Sequence, residues 1–403
     1  MASQSLIATL FLIIFQLIEA SAKGFDSPIV DLGYAKYRGI YNEGLGIAEF
    51  RGIPFAAPPI GPLRWKAPQP FPGSQDSATT LINATESGPA CIQGYPAWTI
   101  QSNVQISESE DCLKLNIFVP DATKKDEKLP VVLTIPGGGY VMGQADQGSP
   151  YALMKHSNNA FIYVVIQYRL GAYGFLGSKS FLQEGGLANI GLLDQRLAIE
   201  WVQEHIEAFG GDPERITIQG GSAGGGSVTN HLIWKGGIGK APFRAAMADF
   251  PWWQQFLRED QLVRQYVHLL EAASCSTLSC LRKLDEQQLK QATQSTYLTA
   301  YDHREYGYGN FYYGPYVDGD LIQDLPSREI SRGHFTKVPV WTSREGYEGW
   351  SFSNQSMTTQ DEAVEDVNMQ FPYADESFAQ SIFDLYPREH FNSTFWQRAT
   401  WFG

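Results

Sequence analysis

The chain has little of what several protein classes require. Basic residues are the minority, 30 Lys and Arg against 43 Asp and Glu over 403 residues, for a formal net charge of −13. Nucleic-acid binding needs a basic face to neutralise phosphates, so no nucleic-acid partner is expected. Only four cysteines are present, Cys91, Cys112, Cys275 and Cys280. None belongs to a Cys-x-x-Cys pair or stands near a histidine pair, so no metal site is expected. Beyond residue 18 no run is apolar enough to cross a bilayer, and no stable membrane span is expected. Internal repeats and low-complexity tracts are lacking too, which argues against a solenoid or a disordered tail.

One short apolar run is present at the start. Leu6 to Ile18 is almost wholly apolar and leads into Ala20-Ser21-Ala22. That pattern reads as a signal peptide over residues 1–22, cleaved after Ala22, although Met1 to Ser5 carries no basic side chain. A secreted, extracellular protein follows. The even cysteine count fits that compartment and suggests two disulfides, for which the sequence itself permits three pairings. Asn83, Asn354 and Asn392 each open an N-x-[ST] sequon and are candidate glycosylation sites.

Residues 23–403 read as one α/β domain. Leu113, Leu115, Ile117 and Val119 alternate as in a half-buried strand. Pro130 to Ile135 and Phe161 to Tyr168 are continuous apolar runs, expected as strands buried on both faces. Gly191 to Ala208 is amphipathic at helical spacing, ended by Gly210-Gly211-Asp212-Pro213. Ile216-Thr217-Ile218 follows as a strand, then a helix to about Ile233. This alternation predicts a parallel sheet with crossover helices. Arg244 to about Ser331 looks less regular and is dense in Trp and Tyr, most of it expected as core. Val338 to Thr342 reads as a late strand, Thr359 with Glu362 as a capping box, and Glu376 to Tyr386 as a helix.

The chemistry centres on Gly220-Gly221-Ser222-Ala223-Gly224, a G-x-S-x-G pattern between a strand and a helix. Such a turn lifts the serine hydroxyl clear of the sheet. A serine needs a base to take its proton, and acyl transfer needs donors for the developing oxyanion. Gly138 and Gly139, after a buried strand, can aim bare N–H groups into a site, and Ala223 offers a third. The run Gly137-Gly138-Gly139 lacks the Lys-Ser/Thr of a phosphate-binding loop and the spaced glycines of a dinucleotide fingerprint, so no cofactor is implied.

Several motifs together resemble the type-B carboxylesterase family, the cholinesterase-like branch of the α/β-hydrolases. They are Phe50-Arg51-Gly52-Ile53-Pro54-Phe55-Ala56, Glu110-Asp111-Cys112-Leu113, Gly137-Gly138-Gly139, Tyr168-Arg169-Leu170-Gly171, Gly191-Leu192-Leu193-Asp194-Gln195, Phe209-Gly210-Gly211-Asp212-Pro213 and the Ser222 turn. The resemblance implies an α/β-hydrolase fold, with a central mostly parallel sheet and helices on both faces. It implies Ser222 as nucleophile, Gly138, Gly139 and Ala223 as oxyanion hole, and a small-molecule or lipid ester as substrate. It also implies the pairings Cys91–Cys112 and Cys275–Cys280. The family's acid is a glutamate before glycine, which Glu348-Gly349 matches better than Glu345-Gly346.

Three departures stand out. Pro136 precedes the glycine run where the family often has His or Tyr. Gly221 precedes the serine where it often has Glu. The family's histidine comes well after the acid and before a glycine, whereas the only histidine past Glu348 is His390, followed by Phe391. The expectation is a chain lacking its triad base, truncated at the C-terminal end, and either an esterase by lineage or an inactive or binding protein.

Overall fold

The structure, a computed structural model, describes residues 27–73, 81–99, 106–120 and 128–402. The proposed signal peptide lies outside them. Eleven strands occur among the described residues: β1 (Ile29–Asp31), β2 (Lys36–Arg38), β3 (Ile40–Asn42), β4 (Ile47–Pro54), β5 (Leu81–Asn83), β6 (Lys114–Pro120), β7 (Leu129–Thr134), β8 (Ile162–Ile166), β9 (Gly211–Ser222), β10 (Ala245–Pro251) and β11 (Val340–Thr342). β1, β2 and β5 form a small sheet, and the other eight form one large sheet in the order β11-β10-β9-β7-β8-β6-β4-β3.

From β11 to β8 every neighbouring pair is parallel, and from β8 to β3 every pair is antiparallel. Parallel neighbours require crossovers, and the Ile190–His205 and Ala223–Leu232 helices supply two of them. The chain leaves β7 for β8 on one side and later returns to place β9 on the other. This reversal opens a crevice at the C-terminal ends of β7 and β9, where open α/β sheets bind ligands.

Several sequence expectations change. β6 is buried on both faces, not one: all its residues after Lys114 are buried, so the alternation of the sequence does not mark a solvent face. Its polar-looking Asn116 is buried and paired: Nδ2 donates to Ser87 Oγ at 2.7 Å, and Oδ1 accepts from Gly52 N at 2.8 Å. In β7, Val131 and Leu133 are fully buried, but Val132 and Thr134 are only partly covered.

The stretch read as irregular holds β10 and two long helices, Glu259–Ala272 and Glu286–Asp302. Their periodicity is diluted by buried polar residues, among them Gln261, Gln265, Thr293 and Thr296. The expected capping box at Thr359 and Glu362 is present and opens the helix Gln360–Gln370. β11 is shorter than expected and forms one edge of the large sheet, with Val340 and Trp341 about half exposed. No helix among the described residues is long and apolar enough to cross a membrane.

Candidate active site

Ser222 ends β9, and Ala223 begins the next helix. The serine adopts φ 56°, ψ −125°, a conformation that L-residues rarely hold. Such strain persists only where the surroundings impose it, and here the following helix packs against the sheet too tightly for side chains. A Cβ on Gly224 would stand 2.2 Å from Ile135 O.

The glycine run lies directly beside the serine. A Cβ on Gly137 would meet Gly221 O at 2.5 Å and Ser222 Cβ at 3.4 Å. Gly138 and Gly139 both take positive φ, 115° and 62°. Among the described residues neither of their N–H groups donates a hydrogen bond to another group. Ala223, fully buried, is the first residue of its helix, where an N–H has no intrahelical acceptor. The structure thus brings Ser222, Gly138, Gly139 and Ala223 into one place.

The glycine loop is held from behind by the Tyr168-Arg169-Leu170-Gly171 motif. Tyr168 Oη donates to Pro136 O at 3.0 Å, and Gly171 N donates to Tyr140 O at 2.8 Å. That motif is itself fixed by a buried ion pair. Asp194 accepts from Arg169 Nε at 2.8 Å, Arg169 Nη2 at 2.7 Å and Arg169 N at 3.0 Å. Arg64 and Glu110 form a second buried bidentate pair, at 2.7 and 2.5 Å. Sequence reasoning singled out these motifs without seeing that they are partners.

A cavity of about 310 Å³ opens over Ser222. Phe250, Trp252, Phe311 and Phe352 line it together with Glu345 and Glu348. Glu348 is half-buried at the start of the helix Glu348–Ser351, whereas Glu345 is exposed, which favours Glu348 as the more structured carboxylate. Phe311 reaches the glycine run: a Cβ on Gly139 would fall 2.1 Å from its ring. Phe250 and Phe352 were missed in the sequence; Phe250 at the C-terminal end of a strand beside Ser222 was the available signal. The unusual Gly221 now has a reason, since a Cβ there would meet the Phe250 ring at 2.6 Å. A larger cavity of about 680 Å³, lined by Glu214, Lys240, Arg244 and Lys337 among others, contains none of these groups.

No histidine borders the Ser222 cavity among the described residues. His156 and His390 are exposed. His205 packs on Trp201 and Tyr34, and burial lowers its pKa. His231 is fully buried, stacked on Trp234 with Nε2 3.1 Å from Gln195 Oε1; burial, with Arg196 nearby, holds its pKa well below the ordinary histidine value. His268 and His303 face each other near Glu305, and His334 lies 3.5 Å from Glu329. The described site therefore holds a serine, backbone N–H groups and a carboxylate, with no histidine lining it among the described residues.

Both expected disulfides are present, Cys91–Cys112 and Cys275–Cys280, with Cα–Cα distances of 4.9 and 5.6 Å. Asn83 and Asn392 are exposed, and Asn354 is partly buried.

Residues 26–399 match the model of the carboxylesterase family. The chain belongs to the carboxylesterase family. Similar proteins of known kind are carboxylesterases and lipases. The carboxylesterase patB of Penicillium expansum is 32% identical over 405 residues, covering 87% of this chain and 69% of that one. Lipase 5 of Diutina rugosa is 33% identical over 376 residues, 84% of this chain and 66% of its own length. Secreted lipase 1 of Botryotinia fuckeliana is 34% identical over 370 residues, 83% of this chain and 62% of its own. The carboxylesterase chain thus spans about two thirds of the length of these relatives. Among solved structures it is similar to Aspergillus niger EstA, with a TM-score of 0.81 and 32% identity over 93% of this chain and 72% of that one. Its fold is the α/β-hydrolase fold, and by family it is a carboxylic ester hydrolase.

Proposed function

We propose that this carboxylesterase acts on apolar small-molecule or lipid esters through an acyl-enzyme on Ser222. The observation that carries this reading is the strained serine with the glycine run packed against its turn. Ser222 Oγ adds to the acyl carbonyl and the alcohol leaves. Water then adds to the acyl-serine, releasing the acid and restoring the hydroxyl. Gly138, Gly139 and Ala223 stabilise the oxyanion in both halves, a role in which one donor is worth about 10²–10³ in rate. Glu348 serves as the acid that orients a base. The four aromatic rings lining the cavity support an apolar acyl group as its occupant.

A second reading is a chain that binds esters and turns them over poorly. It is favoured by the lack of any imidazole at Ser222 among the described residues. Removing a triad base costs on the order of 10⁶ in kcat. Labelling by a fluorophosphonate separates the two. Rapid labelling, lost in Ser222→Ala, supports the acyl-enzyme. A folded chain that binds p-nitrophenyl esters yet resists the label supports the second reading and refutes the first.

We also propose that residues 1–22 act as a signal peptide, that residues 23–403 form a single domain, and that the protein is secreted. Glycosylation is proposed at Asn83, Asn354 and Asn392. The likeness to a protein named as a secreted lipase and the two disulfides support this. A mass for the secreted chain that begins at Lys23 and falls on glycosidase treatment is the expected result.

A further inference from the structure

Three side chains of metal-ligating type converge where the Glu259–Ala272 helix meets the end of the Glu286–Asp302 helix. His268 belongs to the first helix, His303 follows the second, and Glu305 lies two residues further on. One donor atom from each lies within 4.8 Å of the others. His268 Nε2 is 2.9 Å from Glu305 Oε1, and the two imidazole rings stand 5.7 Å apart between centroids. We propose that His268, His303 and Glu305 bind a divalent transition-metal ion of the zinc type, joining the two helices at a site separate from Ser222.

The donor chemistry selects the ion. Two imidazoles with one carboxylate suit zinc, whereas calcium and magnesium take all-oxygen shells. Three protein ligands leave a fourth position for water, and His303 lies on the exposed side of the cluster. Two donors on one zinc stand about 3.4 Å apart, so donors that all lie within 4.8 Å of one another close on an ion by small side-chain adjustments.

The surrounding groups fit a metal shell. Glu305 Oε2 accepts from Tyr312 Oη at 3.3 Å, which leaves Oε1 to face the ion. His268 Nδ1 is buried without a hydrogen-bond partner, and Glu271 Oε2 lies 3.7 Å from it. Such a carboxylate commonly accepts from the outer nitrogen of a metal-bound histidine. The competing cation is Arg264, whose Nε is 3.7 Å from Glu305 Oε1. Its Nη1 already donates to Asp260 at 3.0 Å and its side chain is nearly half exposed, so it can turn away. Arg304 pairs with Glu365 instead.

The site also bears on the ester cavity. Gln265, on the same helix as His268, donates to Tyr312 O at 2.5 Å, and Tyr312 follows Phe311 of the cavity wall. An ion here braces that wall from outside.

The test uses the full chain, stripped with a chelator and dialysed. Calorimetric titration with zinc chloride is expected to give one equivalent bound at micromolar affinity or tighter. The melting temperature is expected to rise by a few degrees with zinc and not with magnesium. His303→Ala removes an exposed ligand, and with an unchanged circular dichroism spectrum it is expected to lose at least tenfold in affinity, as is Glu305→Gln. Cobalt(II) in place of zinc is expected to show the intense visible bands of a four-coordinate site. No zinc binding at about 100 μM, or binding that survives His303→Ala unchanged, overturns the proposal.

Discussion

Asp194→Asn is the substitution that most directly tests how the candidate site is held. It keeps the shape of the side chain, removes its charge and turns one acceptor oxygen into an NH2 donor facing Arg169. Three hydrogen bonds from Arg169 converge on Asp194, whose side chain is fully buried, with that of Arg169 4% exposed. Arg169 Nη1 already lacks a hydrogen-bond partner, and the nearby Glu110 is engaged by Arg64. Leaving one charge of a buried pair alone costs about 3–5 kcal/mol. Unfolding entropy of about 2.1 cal/mol/K per residue gives a chain of this length about 0.8 kcal/mol per degree. The expected fall in melting temperature is therefore about 5 °C by differential scanning calorimetry. The double variant Arg169→Met/Asp194→Leu removes both charges and is expected to recover most of the loss, because apolar replacement of a whole buried pair is often neutral or better. Since the pair also steadies the loop that holds Pro136 and Tyr140, fluorophosphonate labelling of Asp194→Asn is expected to slow. A melting point within about 1 °C of the parent, or a double variant as unstable as the sum of the singles, would refute this account.

Two further outcomes are expected. Gly137→Ala puts a methyl 2.5 Å from Gly221 O, which forces the glycine run off the serine turn. The chain is expected to keep its circular dichroism while serine labelling falls by about 10²–10³, one oxyanion donor's share. His231 is held neutral by burial, so its folded pKa lies below the ordinary 6.5. The unfolded chain then takes up the proton first, and stability is present above about pH 6.5 and is lost as pH falls below it. Between about pH 7.5 and 5.5 this one group accounts for at most about 1.4 kcal/mol, the limit for an imidazole that stays neutral in the folded chain. His231→Gln, followed by urea midpoints at both pH values, is expected to remove that much of the acid sensitivity.

The parts of the site that depend on local conformation were legible in the sequence. Ser222 between a strand and a helix, and Gly138 and Gly139 after a buried run, are short-range signals of steric demand. The parallel strands β7 and β8 and their helices were legible for the same reason. What escaped were pairings across the chain. Arg169 and Asp194 are 25 residues apart, and nothing in either one's neighbours announces the other. Asn116 looked like a solvent position because alternation marks polarity and not what satisfies it. The helices Glu259–Ala272 and Glu286–Asp302 bury glutamines and threonines through hydrogen bonds, which hides their inner face from an apolar pattern. The cavity walls come from β10, the Phe311 loop and the segment near Glu348, three regions joined only by the fold. His268 stands 35 residues before His303, and the expectation of no metal site weighed only the cysteines and their neighbours.

The open edge at β11 has a consequence for how the protein behaves in a tube. An apolar strand with an exposed side is a template on which a second chain can align. Pro339 before it and Arg344 and Glu345 after it confine that template to three residues, Val340, Trp341 and Thr342. What keeps two molecules from meeting there is long-range repulsion, supplied by the charge of −13. Salt shortens the reach of that repulsion, and titration toward the isoelectric point near 5.0 removes it. Light scattering is therefore expected to rise with salt and on titration toward pH 5, and to be least in dilute, low-salt, neutral solution.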